Sequence, residues 1–248
     1  MKQFMLIAGI TLFTGLSFTF KKAAKTPPGT TYWKDNLYMD AKEISNLNWK
    51  EYVYWLKQHE GEDAAKAAMP NFEVWLSMEE NEPFKTHYYE HEAYHEYPVV
   101  GISHQQAKDY CAWRTKVVNE TRKARDGKLQ YRLPTKKEWE SVAALPLKKS
   151  AQAKKHEGQP YMLYNLRRAE DKTVTAHITS PTGSYLPNEI GVYNMIGNVA
   201  EMVAEEGIAK GGSWYHTYED SKLSLDLNYT EASEWLGFRC ICEMISEE

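Results

Sequence analysis

Cysteine is scarce in this chain of 248 residues: there are three in all, none before Cys111 and none between Cys111 and Cys240. A soft metal held by thiolates therefore has no ligands in the long central stretch. With no cysteine in the first hundred residues, a lipid anchor on an N-terminal thiol is also excluded. Positive charge is not in excess. Lys and Arg number 30 against 34 Asp and Glu, a formal net charge of −4 at pH 7. No basic stripe offers itself to nucleic-acid phosphates. No internal repeat or low-complexity tract is present. No nucleophile elbow, phosphate loop or Ser/His/Asp order is readable. The acidic runs Glu79-Glu80-x-Glu82 and Glu205-Glu206 read as solvated loops rather than acid/base pairs.

Long apolar runs are missing except at the start. Lys2, then Met5 to Phe20, then Lys21-Lys22 make a short positive region, an apolar core and a polar boundary. That order predicts a secretory signal peptide over residues 1–20; the other reading is an uncleaved membrane anchor. Residues 21–30 are a polar Pro/Gly linker, and 31–248 read as one domain. Export implies an oxidising compartment, here the periplasm or cell envelope, with membrane contact only through the signal segment if it stays uncleaved. Aromatic residues are plentiful, with 17 Tyr and 8 Trp. Large rings on this scale suit a core built around irregular backbone.

Three helices are legible. One follows Ser45-Asn46 and sets Trp49, Tyr52, Val53 and Leu56 on one face. A second starts at Ser103, where Gln106 completes a capping box, and continues through Ala107, Tyr110, Cys111 and Arg114. The third starts at Thr135, with Glu138 as its capping partner and Trp139 and Val142 inside. Lys148–Pro160 reads as a surface loop. Beyond Leu145 the Gly, Asn, Pro and aromatic content predicts turns and short strands rather than long helices.

Six sequence blocks stand in a fixed order: Glu43-Ile-Ser-Asn46; Tyr97-Pro-Val-Val-Gly-Ile-Ser103 with Tyr110-Cys-Ala-Trp113; Tyr131-Arg-Leu-Pro-Thr-x-x-Glu-Trp-Glu140; Gly191-Val-Tyr-Asn-Met-Ile-Gly-Asn-Val-x-Glu201; Gly211-Gly-Ser-Trp214; and Gly237-Phe-Arg-Cys240. In that order they resemble the formylglycine-generating enzyme, or sulfatase-modifying factor, domain family. The segment His91-x-Ala-x-x-x-Tyr97-Pro-Val-Val-Gly and the Gly-Asn-Val-Ala-Glu variant are most similar to its gliding-motility and type IX secretion branch. The resemblance implies an α+β domain of the formylglycine-generating-enzyme fold, related to C-type lectins and low in regular secondary structure. It also implies other cell-envelope proteins as partners.

The same resemblance implies a calcium site. Asn194 and Glu201 match side-chain ligands, and Gly197 and Val199 match positions giving backbone carbonyls. A second calcium position would begin at Asn165 and Leu166, but its later acidic ligand has no counterpart. A disulfide between Cys111 and Cys240 is implied too, with Cys242 left over. The enzyme's chemistry is not implied. It needs two cysteines after Gly-Gly-Ser to hold copper; counted from Gly211 without gaps, those positions fall on Ser221 and Asp226, and neither is a thiol. The groove tryptophan of the family is Ala200 here. The expectation is no catalytic residues, no copper, and a non-catalytic binding or scaffold module, leaning away from an enzyme. The alternative is a metal-dependent oxidoreductase with histidine-bound iron. For that reading His87, His91 and His95 stand at helical i, i+4, i+8 spacing with Glu90 between; the plainer reading is polar surface. His104, His177 and His216 are isolated in sequence.

Overall fold

The computed structural model describes residues 25–77, 82–123, 126–168 and 178–245. The expected signal peptide, with Glu79, Glu80 and His177, lies outside the described residues. Among the described residues no helix is long and apolar enough to cross a membrane.

The three expected helices form where their caps place them. The first, α1 (Asn46–His59), has Ser45 at its N-cap and buries Trp49, Tyr52 and Leu56. The long α4 (His104–Thr121) starts from a Ser103–Gln106 capping box and buries Ala107, Tyr110 and Cys111. In α5 (Lys136–Ala143), Thr135 and Glu138 cap each other and Trp139 and Val142 go inside. Side-chain acceptors at these positions satisfy amides that the helix start leaves unpaired. Short helices α2 (Glu62–Ala67) and α3 (Glu82–His87) come between the first two. The expected loop over 148–160 is not wholly irregular: Ser150 caps a short α6 (Ala151–Lys155). Pro160, at the first position of α7 (Pro160–Leu163), gives up no hydrogen bond there because that amide has no helical partner.

The strands are short and form two sheets. The first has the order β1-β2-β8-β3, from β1 (Thr30–Lys34), β2 (Leu37–Asp40), β3 (Lys128–Arg132) and β8 (Ile241–Ile245), all neighbours antiparallel. The second has the order β6-β5-β4-β7, from β4 (Ala200–Met202), β5 (Ile208–Lys210), β6 (Leu227–Asn228) and β7 (Leu236–Gly237); β4 and β7 run parallel. Helix α4 is laced to β3 by side chains that replace missing strand partners. Asn119 accepts from the Leu129 amide at 3.0 Å and donates to its carbonyl at 2.8 Å, and Thr115 accepts from the Tyr131 amide at 2.8 Å.

The core is aromatic, as the composition leads one to expect. Trp49 stacks on Tyr110 at 5.5 Å and meets Phe238 edge-on at 6.0 Å, which joins α1, α4 and the strand-8 approach. The Trp49 indole N–H, deep inside, donates to the Ala68 carbonyl at 2.9 Å, so burial leaves no orphaned donor there. A second cluster gathers Met39, Trp139, Val142, Val192 and Ile241. The α+β class with little regular structure, expected from the resemblance, is the observed architecture.

Candidate functional site

Several of the six sequence blocks meet around one buried charge pair. Arg239, fully buried, donates from Nη2 to Glu201 Oε1 at 2.6 Å and from Nε to Oε2 at 2.7 Å. The Trp139 indole N–H adds a third donor to Oε2 at 2.7 Å. Two more guanidinium hydrogens go to the backbone carbonyls of Asp40 at 3.0 Å and Tyr193 at 2.7 Å. A buried ion pair is stable only when its spare donors and acceptors are also satisfied, and here the end of β2 and the irregular backbone at Tyr193 supply acceptors.

A second carboxylate sits beside the pair. Glu43, 2 % exposed, accepts from the Asn198 amide on Oε1 at 2.9 Å and from the Asn194 amide on Oε2 at 3.2 Å. Burial raises its carboxyl to about 7; Arg239 pulls it down, and the neighbouring Glu201 pushes it up. Asn198 is the hub. Its carbonyl Oδ1 accepts from the Ser180 amide at 2.6 Å and from Asn165 Nδ2 at 3.2 Å, and its Nδ2 also donates to the Ser180 carbonyl. Asn194 and Asn198 both have positive φ, 53° and 66°, which asparagine tolerates better than most residues. Gly197 between them cannot be replaced by a larger residue: a Cβ there would stand 2.5 Å from the Asn165 carbonyl oxygen.

Of the four residues expected to hold calcium, Asn194, Gly197 and Val199 lie in the irregular segment before β4, and Glu201 lies in β4. Glu201 Oε1 carries a single donor, and among the described residues no hydrogen bond uses Asn194 Oδ1 or the carbonyls of Gly197 and Val199. One carboxylate, one amide oxygen and two carbonyls are hard donors of the kind calcium takes, four of the six to eight it uses, and both oxygens of that carboxylate already accept from Arg239. The second expected position differs. Asn165 spends its Nδ2 on Ile178, Ser180 and Asn198 and its carbonyl on the Asn198 amide, and Leu166 is buried.

Cys111 Sγ on α4 and Cys240 Sγ are 3.3 Å apart, both buried, as thiols. Burial pushes the Cys240 thiol up, as does Cys111 beside it. Cys242 is also buried, and burial raises it to about 12.

The histidines His87, His91 and His95 do not share a helix face. His87 ends α3, His91 accepts the Ala93 amide at the start of a 3-10 turn, and His95 lies 3.4 Å from Lys50 Nζ. Among the described residues no three His, Cys, Asp or Glu side chains gather as metal ligands. His104 is buried and meets the Val203 carbonyl at 2.9 Å. Glu205 accepts from the Lys136 amide at 2.9 Å, so it serves the start of α5.

Sequence reasoning missed two arrangements. Ser213 Oγ and His216 Nδ1 are 2.7 Å apart, and burial lowers His216 to about 4, with Asp220 opposing and Arg167 assisting. Ser213 is fully buried, so the pair braces a turn and offers no nucleophile. Lys210, also fully buried, donates from Nζ to the carbonyls of Leu223 and Leu225, each at 2.7 Å, and is flanked by Glu140 and Asp226 at 2.7 and 3.0 Å. It anchors the loop after Gly-Gly-Ser, where Asp226 also pairs with Lys136 at 2.5 Å. A lysine directly before two glycines was the one available signal.

Comparison with known proteins follows the same lines. The family described as "Sulfatase-modifying factor enzyme 1-like domain" matches residues 2–244. Two curated relatives, both named "Inactive C-alpha-formylglycine-generating enzyme 2", are similar: the Bos taurus protein is 32 % identical over 166 residues, 58 % of this chain and 50 % of that one, and the Mus musculus protein 31 % identical, with 58 % and 49 % covered. This chain thus spans about half the length of the curated relatives it matches. Among solved structures, that of CarF shares the fold, with a TM-score of 0.57, 16 % identity, and coverage of 88 % of this chain and 96 % of that one.

Proposed function

Given that the chain belongs to the sulfatase-modifying factor enzyme 1-like family, we propose that it is a non-catalytic binding or scaffold module of the bacterial cell envelope, exported, and holding other envelope proteins in gliding motility or type IX secretion. The observation that carries this reading is the lack of any cysteine between 112 and 239. Thiolates are what a copper-based oxidation of a substrate cysteine requires, and fold membership alone does not convey an activity. The curated relatives bear "inactive" in their names, which supports the same direction. The branch assignment rests on the resemblance around His91–Gly101 and Gly197–Glu201.

The test is direct. Full-length protein incubated with a sulfatase-type cysteine peptide, copper and oxygen should give no aldehyde by mass spectrometry; turnover overturns the reading. Metal analysis of the purified protein separates the oxidoreductase alternative, which requires stoichiometric iron, from the module, which requires none. N-terminal sequencing of envelope material should find a mature start between about residue 18 and residue 28; an intact Met1 rejects cleavage.

We also propose that Asn194, Gly197, Val199 and Glu201 hold a calcium ion whose role is to fix the segment that leads into β4. Binding to the folded state alone stabilises it by mass action. A chelator should lower the melting temperature of the wild type, and Asn194→Ala should remove that difference. A wild-type melt indifferent to chelator sinks the proposal. Glu201 is the wrong residue to alter, because its loss strands Arg239.

A further inference from the structure

We propose that the groove between α1, α2 and α4 is a binding site for a guanidinium group, the arginine side chain of a partner chain. Its volume is about 450 Å³, within the range of small-ligand sites, roughly 300–1,000 Å³. It shares no residue with the cluster around Glu43, Glu201 and Arg239. Such a site goes beyond the scaffold reading and does not depend on it.

Helix spacing makes the groove. Asp109, Trp113 and Lys116 recur every third or fourth residue of α4 and form one stripe. Tyr52 and Trp55 of α1 face it, and α2 contributes only alanines, which leave the space open. Tyr52 is the residue that points to a ligand. It is 5 % exposed, and its ring is pinned by Trp49 at 5.3 Å, Tyr110 at 5.6 Å and Trp113 at 5.1 Å. Its hydroxyl has no hydrogen-bond partner among the described residues and, unlike the Trp113 indole N–H, is not sealed off from the groove. A polar group so deeply buried without a partner is rare in a folded protein and calls for one.

Two carboxylates, Glu60 and Asp109, line the same groove. Burial first, then the charges of Asp109 and Glu60, push the Tyr52 hydroxyl up to about 12, so it stays protonated between them. Asp109 spends one oxygen on Gln105 Nε2 at 2.8 Å; its other oxygen and both of Glu60 take no donor from the described residues. Phenol and carboxylates together make a set of acceptors that an anion cannot use. Lys116, the cation of the groove, lies over the Trp55 ring at 4.5 Å, and His59 stacks on that ring at 4.3 Å, so Trp55 offers a sugar no free platform. A metal is the poorer fit, since among the described residues no three His, Cys, Asp or Glu side chains gather to hold one. A guanidinium carries five N–H donors in a planar fork, against three on an ammonium. It pairs with carboxylates through two parallel bonds, and its methylene stem packs on apolar wall. Glu60, Asp109 and Lys116 are exposed, so the mouth is open to a side chain from another chain.

The probe is arginine blocked as its acetyl and methylamide derivative, titrated into isotope-labelled full-length protein and followed by NMR. The blocked citrulline keeps the shape and loses the charge; the blocked lysine keeps the charge and loses the fork. The arginine probe should move the Trp55 and Trp113 indole signals saturably. Citrulline should bind about tenfold more weakly, and lysine about threefold more weakly. Tyr52→Phe removes a hydroxyl that bonds to nothing in the fold, so the melting temperature should hold while arginine affinity falls about threefold. The surface pair Glu60→Gln with Asp109→Asn should cost about tenfold with an unchanged circular dichroism spectrum. Free L-arginine should bind no more tightly than the blocked probe; tighter binding of the free amino acid overturns the assignment to a partner chain. No saturable shift, equal affinity for arginine and citrulline, or an affinity untouched by both variants overturns the site itself.

Discussion

Glu201 and Arg239 form a pair almost without water, 1 % and 0 % exposed. Neither charge has another strong partner of opposite sign at bonding distance, so removing one leaves the other buried and bare. Arg239→Met or Glu201→Leu alone should each cost about 3–5 kcal/mol in urea unfolding. The double substitution should cost less than the worse single, since no stranded charge remains. Equal or additive losses would mean the charges are independent of each other. His216 gives a second prediction, on pH. Its folded value lies near 4, below the ordinary 6.5, chiefly through burial. The unfolded chain takes up a proton below pH 6.5 and the folded one only near 4, so stability is full above 6.5 and falls between 6.5 and 4. In His216→Gln that part of the pH dependence of the unfolding free energy should flatten; a slope unchanged from wild type rules out His216 as its source.

Helix starts were legible because a capping box is local: both partners sit three residues apart and the pattern needs no knowledge of the rest of the fold. Ser103 with Gln106 and Thr135 with Glu138 are of this kind. Strands of two or three residues were not legible. β7 is only Leu236–Gly237, and it exists because β4 lies parallel to it from 36 residues earlier in the pairing of Ala200 with Leu236. No periodicity can develop in so short a run. The short α6 escaped for a related reason: Ser150 is a cap that only five helical residues follow. In α5 the start is braced by more than its capping box. Thr135 Oγ1 accepts from the Glu138 amide at 3.3 Å, and Glu138 accepts from the Thr135 amide at 2.8 Å and from Arg132 through both oxygens at 2.8 Å. Thr135→Ala should cost about 1–2 kcal/mol. These contacts hold the Glu138 carboxyl down to about 2 although burial opposes them. Its contribution is therefore present above the ordinary 4.5 and lost as pH falls from there towards 2. Glu138→Gln should remove that acid-limb loss in the pH dependence of unfolding; an unaltered acid limb shows that Arg132 and Thr135 do not set it.

At the scale of the molecule, the fold and its motif positions were readable through resemblance, while the contacts that make a site of them were not. Glu43 meets Asn198 across 155 residues and Arg239 meets Glu201 across 38, and nothing in either local segment announces the other. Cys111 and Cys240 are another such link, 129 residues apart in sequence and 3.3 Å apart at sulfur. One belongs to α4 and the other leads into β8, the strand that pairs with both β2 and β3. A bond between them would tie the helical half to the strand that organises the first sheet. Oxidation needs the sulfurs to close to about 2.05 Å, a movement of little more than an ångström. The export proposed above would place the pair in conditions that favour it. We therefore expect a Cys111–Cys240 disulfide in protein purified from the envelope, with Cys242 free. Closing so long a loop restricts the unfolded chain by about 4–5 kcal/mol on entropic grounds, less any strain in the folded state. Non-reducing peptide mapping should show the linked pair and one alkylatable thiol, and reduction should lower the melting temperature of the wild type but not of Cys111→Ala. Three alkylatable thiols in native material, or a link through Cys242, would defeat the pairing.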